Sequence, residues 1–384
     1  MPAPDGGAAV SPLSITFPPE ADVHWTSAGR RIALVLSASG GLERAEAGGS
    51  QLFTGSWVIG GANAMSAGSL VVTPTDVRRV VRGGIEERWT TALELPLFFW
   101  ELEPGHAGVA EVEAELADGW ARSEPGFDPA ASDVALRFAD GAGRLLVVSA
   151  DGSGAELRVV PADGGQRLSA KANGRLRLSV IAAQDPADLD RTLELLARRG
   201  FSGLRAQRVQ HARLIRDYGT ALSTPSPALD QAFEWAKLRA DELPPSPTAR
   251  AEALSLDAIL DRPEAHALAD PSGFLEGVLH GLWGVEAHAE HRALTLAPRL
   301  PGGWTRMGVS RLRVGSTAVD CAMSRRAGQV TLRLRRRTGP AVAVTLSLPG
   351  VSDGGLAIDG VPLGGREARF EAAGEHEVSF DLAE

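Results

Sequence analysis

The sequence predicts a mainly β protein in which a large N-terminal β-sandwich and a small C-terminal β-sandwich are joined by a short helical segment. Residues 1–185 contain short apolar runs that are separated by glycine pairs. Apolar residues then recur at helical spacing in several segments between residues 186 and 282, and strict alternation of apolar and polar residues is found after residue 290. We therefore predict three domains, over residues 1–185, 186–290 and 291–384.

The N-terminal domain is predicted from its short β-like segments. Three apolar runs, RIALVL at 31–36, SLVVT at 69–73 and RLLVVS at 144–149, lie between glycine clusters. Residues 134–138 and 175–181 alternate with a period of two. Many short strands at regular spacing are typical of a sandwich, and about 180 residues make a large one.

Helical spacing begins at Pro186 and continues from Leu189 to Leu196, after which Gly200 is the expected stop. A second helix is predicted over residues 202–218.

The next predicted helix has Ser226 as its N-cap and proline at its first position. Its apolar stripe consists of Leu229, Ala232, Phe233, Ala236, Ala240 and Leu243. The prolines from Pro244 end this helix, residues 261–271 are polar, and one more short helix over 274–282 is closed by Gly284.

The C-terminal domain is predicted to be a compact antiparallel sandwich with one solvated face. Residues 329–335 alternate strictly, and residues 342–348 repeat the pattern after a turn. The basic spots at 325–326 and 335–337 indicate a solvated sheet face or an edge protected against pairing.

Composition excludes several functions. A net charge of −9 argues against a nucleic-acid partner, and no apolar run is long enough to span a membrane. The first residues lack a secretory signal, and Cys321 is the only cysteine, so we predict a cytoplasmic protein without an intrachain disulfide. Cys321 lies in a predicted strand, where a buried, inert thiol is expected.

Two segments resemble a known family. Residues 217–243, DYGTALSTPSPALDQAFEWAKLRADEL, resemble the segment that leads into the catalytic domain of bacterial glycogen-debranching enzymes, the amylo-α-1,6-glucosidase and glucoamylase-like glycoside hydrolases. Residues 272–288 are similar to the last barrel helix of that family, and residues 294–315 to its exit into a C-terminal β-domain. Residues 86–103 are similar in style to its N-terminal sandwich. The resemblance implies an (α/α)6 catalytic barrel between the two β-domains.

The chain departs from this family where the barrel should be. Only 28 residues, 244–271, separate the two matching segments. A barrel of twelve helices, each of about 11–12 residues, needs far more chain. The catalytic domain is therefore predicted to be truncated to a helical remnant, and no catalytic residue of the family can be assigned here.

Glycoside hydrolysis needs two carboxyl groups about 5–9.5 Å apart in a sugar-sized cleft. The candidates in the remnant are Glu252, Asp257, Asp261, Glu264, Asp270 and Glu276. Asp257 and Asp261 would share one helix face, but a solvated face is the preferred interpretation.

Histidines cluster near the last predicted helix, at His280, His288 and His291, with Glu286 and Glu290 nearby. His288 and His291 are three residues apart and could bind a metal ion together if they lay on a helix. However, Gly284 is expected to have ended that helix. We therefore predict a polar linker, and no metal or cofactor.

The tryptophans are the remaining candidates, because flat aromatic faces bind sugars. They are Trp25, Trp57, Trp89, Trp100, Trp120, Trp235, Trp283 and Trp304. We expect most of them to pack in cores or interfaces, and Trp57 is ambiguous.

Three hypotheses about function follow. The first is a non-catalytic, carbohydrate-metabolism relative of glycoside hydrolases that binds an α-glucan, an oligosaccharide or a partner enzyme. The second is an active α-glucan hydrolase with a site on the remnant helices or between subunits, and the third is an assembly protein without sugar affinity. Because the stripe that begins at Leu229 lacks a barrel to pack on, it needs the helix over 274–282, a sandwich or a second copy of the chain, and we predict a homodimer.

Overall fold

The computed structural model describes residues 14–18, 24–37, 41–58, 69–81, 84–105, 108–123, 134–162, 165–242, 255–326, 328–348 and 356–381. The protein is mainly β, as predicted, with a large curled antiparallel sheet and further sheets towards the C-terminus. Contacts divide the chain into two compact units, residues 1–212 and 213–384. The division into three domains at residues 185 and 290 stays a prediction. In the described residues, no helix is long and apolar enough to cross a membrane.

The first unit is built on one large sheet. Its described strands are β1 (Ile15–Phe17), β2 (His24–Ala28), β3 (Ile32–Ser37), β4 (Gly41–Ala47), β5 (Ser50–Val58), β6 (Leu70–Val72), β7 (Val77–Val81), β8 (Ile85–Thr91), β9 (Leu97–Glu103), β10 (Val109–Leu116), β11 (Ala121–Arg122), β12 (Val134–Ala139), β13 (Leu145–Ala162) and β14 (Gly165–Ala183). The order is β1-β6-β7-β8-β9-β14-β10-β5-β4-β3-β2, and β11, β12 and β13 extend from β14 as a branch. The long β13–β14 hairpin thus connects the branch to the main sheet.

A polar cluster lies in the core of this sheet, on β7, β8 and β9. Arg79 and Glu87 are fully buried, and Arg79 Nε donates to Glu87 Oε2 at 2.6 Å. Trp100 Nε1 donates to the other carboxylate oxygen at 2.7 Å. Trp89 stacks on Trp100 with 6.5 Å between ring centroids. Gly41 makes room for the guanidinium, because a Cβ there would lie 2.2 Å from Arg79 Nη2.

Helix α1 (Pro186–Tyr218) contains the break that the sequence predicts. Gly200 has φ 61° and ψ 176°, a conformation outside the helical region. Phe201 follows at once and packs edge-on against Phe99 of the sheet, with 4.7 Å between centroids. Further along, Arg208 is buried and donates to the carbonyl and hydroxyl oxygens of Thr91 and to the carbonyl of Ala28. This arginine therefore holds the second half of the helix to the sheet.

A bidentate ion pair holds the start of α1. The Arg31 guanidinium donates to both oxygens of Asp188, at 2.8 and 2.6 Å. The hydrogen bond from Arg31 is the main reason why the pKa of Asp188 lies below its usual value, although desolvation opposes it. The folded protein therefore favours the carboxylate.

We expect Asp188→Asn to lower the free energy of unfolding by about 1.5–3 kcal/mol at pH 7, the usual range for a hydrogen bond to a charged group. A lowered pKa means that this stabilisation is present above the unfolded value near 3.8 and is lost as pH falls through the folded value. Urea denaturation at pH 7 and below pH 4 should show the difference between wild type and variant shrinking in acid. Asp190→Asn, an exposed change on the same helix, is the control, and an equal loss in both variants would contradict the ion-pair assignment.

The described strands of the second unit form two sheets. Its described strands are β15 (Ala221–Ser223), β16 (Glu286–His288), β17 (Ala293–Leu296), β18 (Arg306–Val314), β19 (Thr317–Arg326), β20 (Gln329–Thr338), β21 (Val342–Ser347), β22 (Leu356–Ile358), β23 (Val361–Leu363), β24 (Glu367–Ala372) and β25 (Glu375–Asp381). The larger sheet has the order β15-β18-β19-β20-β25-β22-β23, and the smaller has the order β16-β17-β21-β24.

The prediction of a purely antiparallel C-terminal sandwich is wrong in one place, because β17 and β21 pair in parallel, with Leu294 opposite Val344. A parallel pair needs a long crossover, and β18, β19 and β20 provide it.

In the described residues, four helices accompany these sheets: α2 (Pro227–Glu242), α3 (Leu256–Asp261), α4 (Pro263–Ala269) and α5 (Pro271–Val278). A π-helical turn, Leu279–Trp283, continues α5. Ser226 caps α2 as predicted, because its hydroxyl accepts from the Leu229 amide at 3.3 Å. Gly284 closes the π-turn in the left-handed conformation, with φ 56°. Helix α4 falls in segment 261–271, which the sequence indicated to be polar.

The apolar stripe of α2 is covered within the same chain. Leu229, Ala232, Phe233 and Ala236 belong to one hydrophobic core with Phe274 and with the inward residues of both sheets. This burial removes the reason for which a second copy of the chain was predicted. Leu243 and residues 244–254 lie outside the described residues.

Candidate functional site

The carboxylates considered for hydrolysis lie on solvated helix surfaces. Asp257, Asp261, Glu264 and Glu276 are exposed. Asp270 is half-buried and has a structural role, because its side chain accepts from the Gly273 amide at 3.0 Å and caps α5. Glu252 lies outside the described residues.

The inward side of these helices is closely packed. Phe233, Phe274 and Trp283 are at most 1% exposed and share one core with the sheets. Where a barrel enzyme would need a cleft between its helices, the described part of this unit has a hydrophobic core.

The histidines do not converge. His280 lies 3.9 Å from Glu276, and His291 lies 3.9 Å from its neighbour Glu290. His288 is exposed on β16. Among the described residues, no group of three or more His, Cys, Asp or Glu side chains is placed to hold a metal ion.

Most tryptophans are core residues, which confirms the prediction. The buried set is Trp25, Trp89, Trp100, Trp120, Trp235 and Trp283. Trp304 is half-buried and packs against the core of the second unit, and the side chain of Trp57 lies outside the described residues.

Cys321 is also a core residue, as expected. It is 2% exposed on the inner side of β19. Burial, and to a lesser extent the charge of Asp320, raises the pKa of its thiol to about 12. The reactive thiolate is therefore disfavoured at neutral pH.

A polar concave feature of the second unit lies on the outer surface of its larger sheet. We call it the polar face, and it is formed by outward residues of β15, β18, β19, β20 and β25 around a depression of about 710 Å³. Its lining residues with exposed or half-buried side chains include Ser223, Arg306, Gly308, Ser310, Asp320, Ala322, Ser324, Arg326, Thr331, Arg333, Arg335, Glu375 and Glu377.

Strand register arranges these residues in rows across the sheet. One row runs from Ser223 through Gly308, Ala322 and Arg333 to Glu377. Small side chains thus form the floor of the depression, and long charged side chains form one of its sides.

A second row runs from Arg306 through Ser324 and Thr331 to Ser379. It places hydroxyl groups beside the same floor.

The charged groups of the polar face differ in how far they are neutralised. Arg333 is paired with Glu377 at 3.0 Å. Asp320 accepts from the Arg311 amide at 2.8 Å. By contrast, the guanidinium groups of Arg306, Arg326 and Arg335 make no hydrogen bond or ion pair with the described residues. These three groups are available to a ligand.

Only part of this site could be predicted from the sequence. The basic spots at 325–326 and 335–337 indicated a solvated sheet face or a protected edge, and that part is visible in the sequence. The floor could not be predicted, because Ser223 and Gly308 are 85 residues apart and become neighbours only through the pairing of β15 with β18.

The first unit has a second depression, of about 600 Å³, among its hairpin turns. Trp120 lines it but is buried and donates to the Gln51 carbonyl at 2.8 Å. Asp140 binds Arg144 and two backbone amides of its own turn. Desolvation is the largest single effect and would raise the pKa of Asp140, but the hydrogen bonds together lower it. Trp120 and Asp140 are therefore already engaged in bonds within this unit.

Comparisons with known proteins give distant matches. No family model matches the sequence, and no curated protein matches it. Among solved structures, a bacterial glucoamylase complexed with acarbose matches at 8% identity and TM-score 0.35, over 60% of this chain and 42% of the glucoamylase.

Two other solved structures match at similar levels. The family GH92 inverting mannosidase of Bacteroides thetaiotaomicron has 8% identity and TM-score 0.40, over 61% of this chain and 37% of the mannosidase. A putative kojibiose phosphorylase from the human microbiome has 10% identity and TM-score 0.25, over 60% of this chain and 32% of the phosphorylase.

The chain thus spans less than half the length of each of these three proteins. They are carbohydrate-active enzymes by name, and the resemblance to them is at low identity. TM-scores of this size do not establish a common fold.

Proposed function

We propose that this protein is a non-catalytic relative of glycoside hydrolases that binds an α-glucan on the polar face. The observation that carries the proposal is the floor of small residues, with Gly308 and Ala322 at its centre, beside rows of hydrogen-bonding side chains. The resemblance of residues 217–243, 272–288 and 294–315 to the regions that flank a debranching-enzyme barrel supports a carbohydrate ligand.

The dimensions of the polar face suit a short oligosaccharide. Neighbouring strands lie about 4.8 Å apart, so the five strands from β15 to β25 span about 19 Å. Gly308 and Ala322 let a sugar ring approach the backbone closely. The guanidinium groups donate hydrogen bonds to sugar oxygens, and the hydroxyls of Ser324 and Thr331 can donate or accept.

The packed interior supports binding without hydrolysis. The helices that would have to provide catalytic carboxylates bury Phe233 and Phe274 on their inward side and leave Asp257 and Asp261 in solvent. An acid–base pair needs an enclosed, apolar environment around one of its two carboxyl groups, and these exposed side chains lack it.

We expect Ala322→Trp to weaken the binding of maltoheptaose by at least about tenfold, or 1.4 kcal/mol, because the new ring fills the floor. The measurement is isothermal titration calorimetry.

The matched control is Ala343→Trp, an exposed alanine on β21 of the smaller sheet. It should bind as the wild type does, and circular dichroism would establish that both variants are folded. Wild-type affinity in Ala322→Trp would exclude this floor as the glucan site.

A further inference from the structure

One end of the polar face carries two neighbouring cations. Arg306 begins β18 and lies opposite Ser324 of β19, and Arg326 lies two residues further along β19 on the same face. Diagonal neighbours of this kind have Cα atoms about 7–8 Å apart. Both side chains are exposed, so two long guanidinium groups can reach one ligand group from adjacent strands.

The acidic residues of the face lie further from this end than the two arginines lie from each other. Glu375 is opposite Arg335, and Glu377 is opposite Arg333. Asp320 is four residues from Ser324 along β19, which corresponds to about 13 Å. Asp381 lies in the row that runs from Arg326 through Gln329, two strands or about 10 Å away. The Arg306–Arg326 end therefore carries two positive charges without an acidic residue on an adjacent strand, in a chain whose net charge is −9.

Two hydroxyl groups complete this set of donors. Ser324 lies opposite both Arg306 and Thr331, so the two hydroxyls continue the row that Arg306 begins. Neither hydroxyl makes a hydrogen bond with another described residue. Two guanidinium forks and two hydroxyls thus surround one position at the edge of the small-residue floor.

The number and charge of these donors indicate the ligand group. A neutral glucan does not balance two cations, and a carboxylate supplies one charge and two oxygens. A phosphate monoester carries about −1.5 to −2 charges and three strong acceptor oxygens, and arginine forks bind it in a bidentate manner. Its charge and its oxygens match this donor set best.

We infer that the Arg306–Arg326 end binds the phosphate group of a phosphorylated saccharide whose sugar rings lie on the floor formed by Gly308 and Ala322. This inference rests on the proposed function, because it takes the sugar site of the polar face as given and specifies the class of ligand that binds there. No bond is made or broken in this step, since the site only binds.

The test compares maltotetraose with maltotetraose that carries a 6-phosphate, by calorimetry at low salt. We expect the phosphorylated sugar to bind at least about tenfold more tightly. Arg326→Gln should abolish this advantage, so that the variant binds the phosphorylated and the neutral sugar with equal affinity. Arg369→Gln, an exposed arginine on β24 of the smaller sheet, should keep the advantage.

The other outcomes separate the two proposals. Equal affinity for both sugars would overturn the phosphate site and leave glucan binding intact, whereas binding of neither sugar would contradict both. Inorganic phosphate that binds as tightly as the phosphorylated sugar would show an anion site that is unrelated to saccharides. A maltotetraose that ends in a uronate and binds equally well would show recognition of charge alone, and would also overturn the inference.

Discussion

Glu87→Ala is expected to lower the free energy of unfolding by about 3–5 kcal/mol, because it removes one partner of a buried ion pair. Glu87 and Arg79 are both fully buried, so the guanidinium would lose its carboxylate where water cannot replace it. The indole N–H of Trp100 would lose its acceptor as well. Denaturation in guanidinium chloride measures the change.

Two further variants make this prediction specific. Glu86→Ala removes a half-exposed ion pair with Arg88 on the same strand, and it should cost less than about 1 kcal/mol. The double replacement Arg79→Met with Glu87→Leu removes both charges and should recover much of the stability that Glu87→Ala loses, because an apolar pair of similar volume has no desolvation cost. If Glu86→Ala and Glu87→Ala were equally destabilising, the buried pair would not have the importance assigned to it.

Phe233→Ala is the second change with a large expected effect, about 3–5 kcal/mol, the usual range for truncation of a buried phenylalanine. Phe233 of α2 is 1% exposed. It belongs to the core of the second unit, together with Phe274 of α5 and the inward residues of the sheets. The cavity would loosen the helices from the sheets. Thermal and chemical denaturation should both show the loss.

Tyr218→Ala is the control for this change, because Tyr218 is an aromatic residue that is 64% exposed. We expect it to change the free energy of unfolding by no more than about 0.5 kcal/mol. A small effect of Phe233→Ala would mean that α2 does not depend on this core. The stripe of α2 would then again need another partner.

Local signals in the sequence predicted the elements that local chemistry determines. Gly200 breaks α1 because glycine adopts the conformation required there, and Ser226 and Pro227 begin α2 because a hydroxyl cap and a preset φ favour that position. The alternation over 329–335 predicted β20 because one face of that strand is buried. The fold class followed from such signals.

The features that could not be predicted from the sequence depend on packing between residues that are distant along the chain. Helix α4 forms in a polar segment because Pro263 and Ala267 are buried against the rest of the unit. Arg208 was one of several arginines in its predicted helix, and only its distance to Thr91 distinguishes it. The parallel pairing of β17 with β21 and the floor of the polar face likewise depend on residues that are distant in the sequence.

The proposal that this protein binds a glucan without cleaving it can be tested in one calorimetric titration with maltoheptaose, followed by chromatography of the ligand recovered from the cell. Our account predicts a saturable binding isotherm, an affinity that Ala322→Trp weakens by at least about tenfold, and recovery of intact maltoheptaose. Absence of binding at saturating ligand would contradict the assignment of the polar face, and recovery of glucose or shorter oligosaccharides would contradict the non-catalytic assignment.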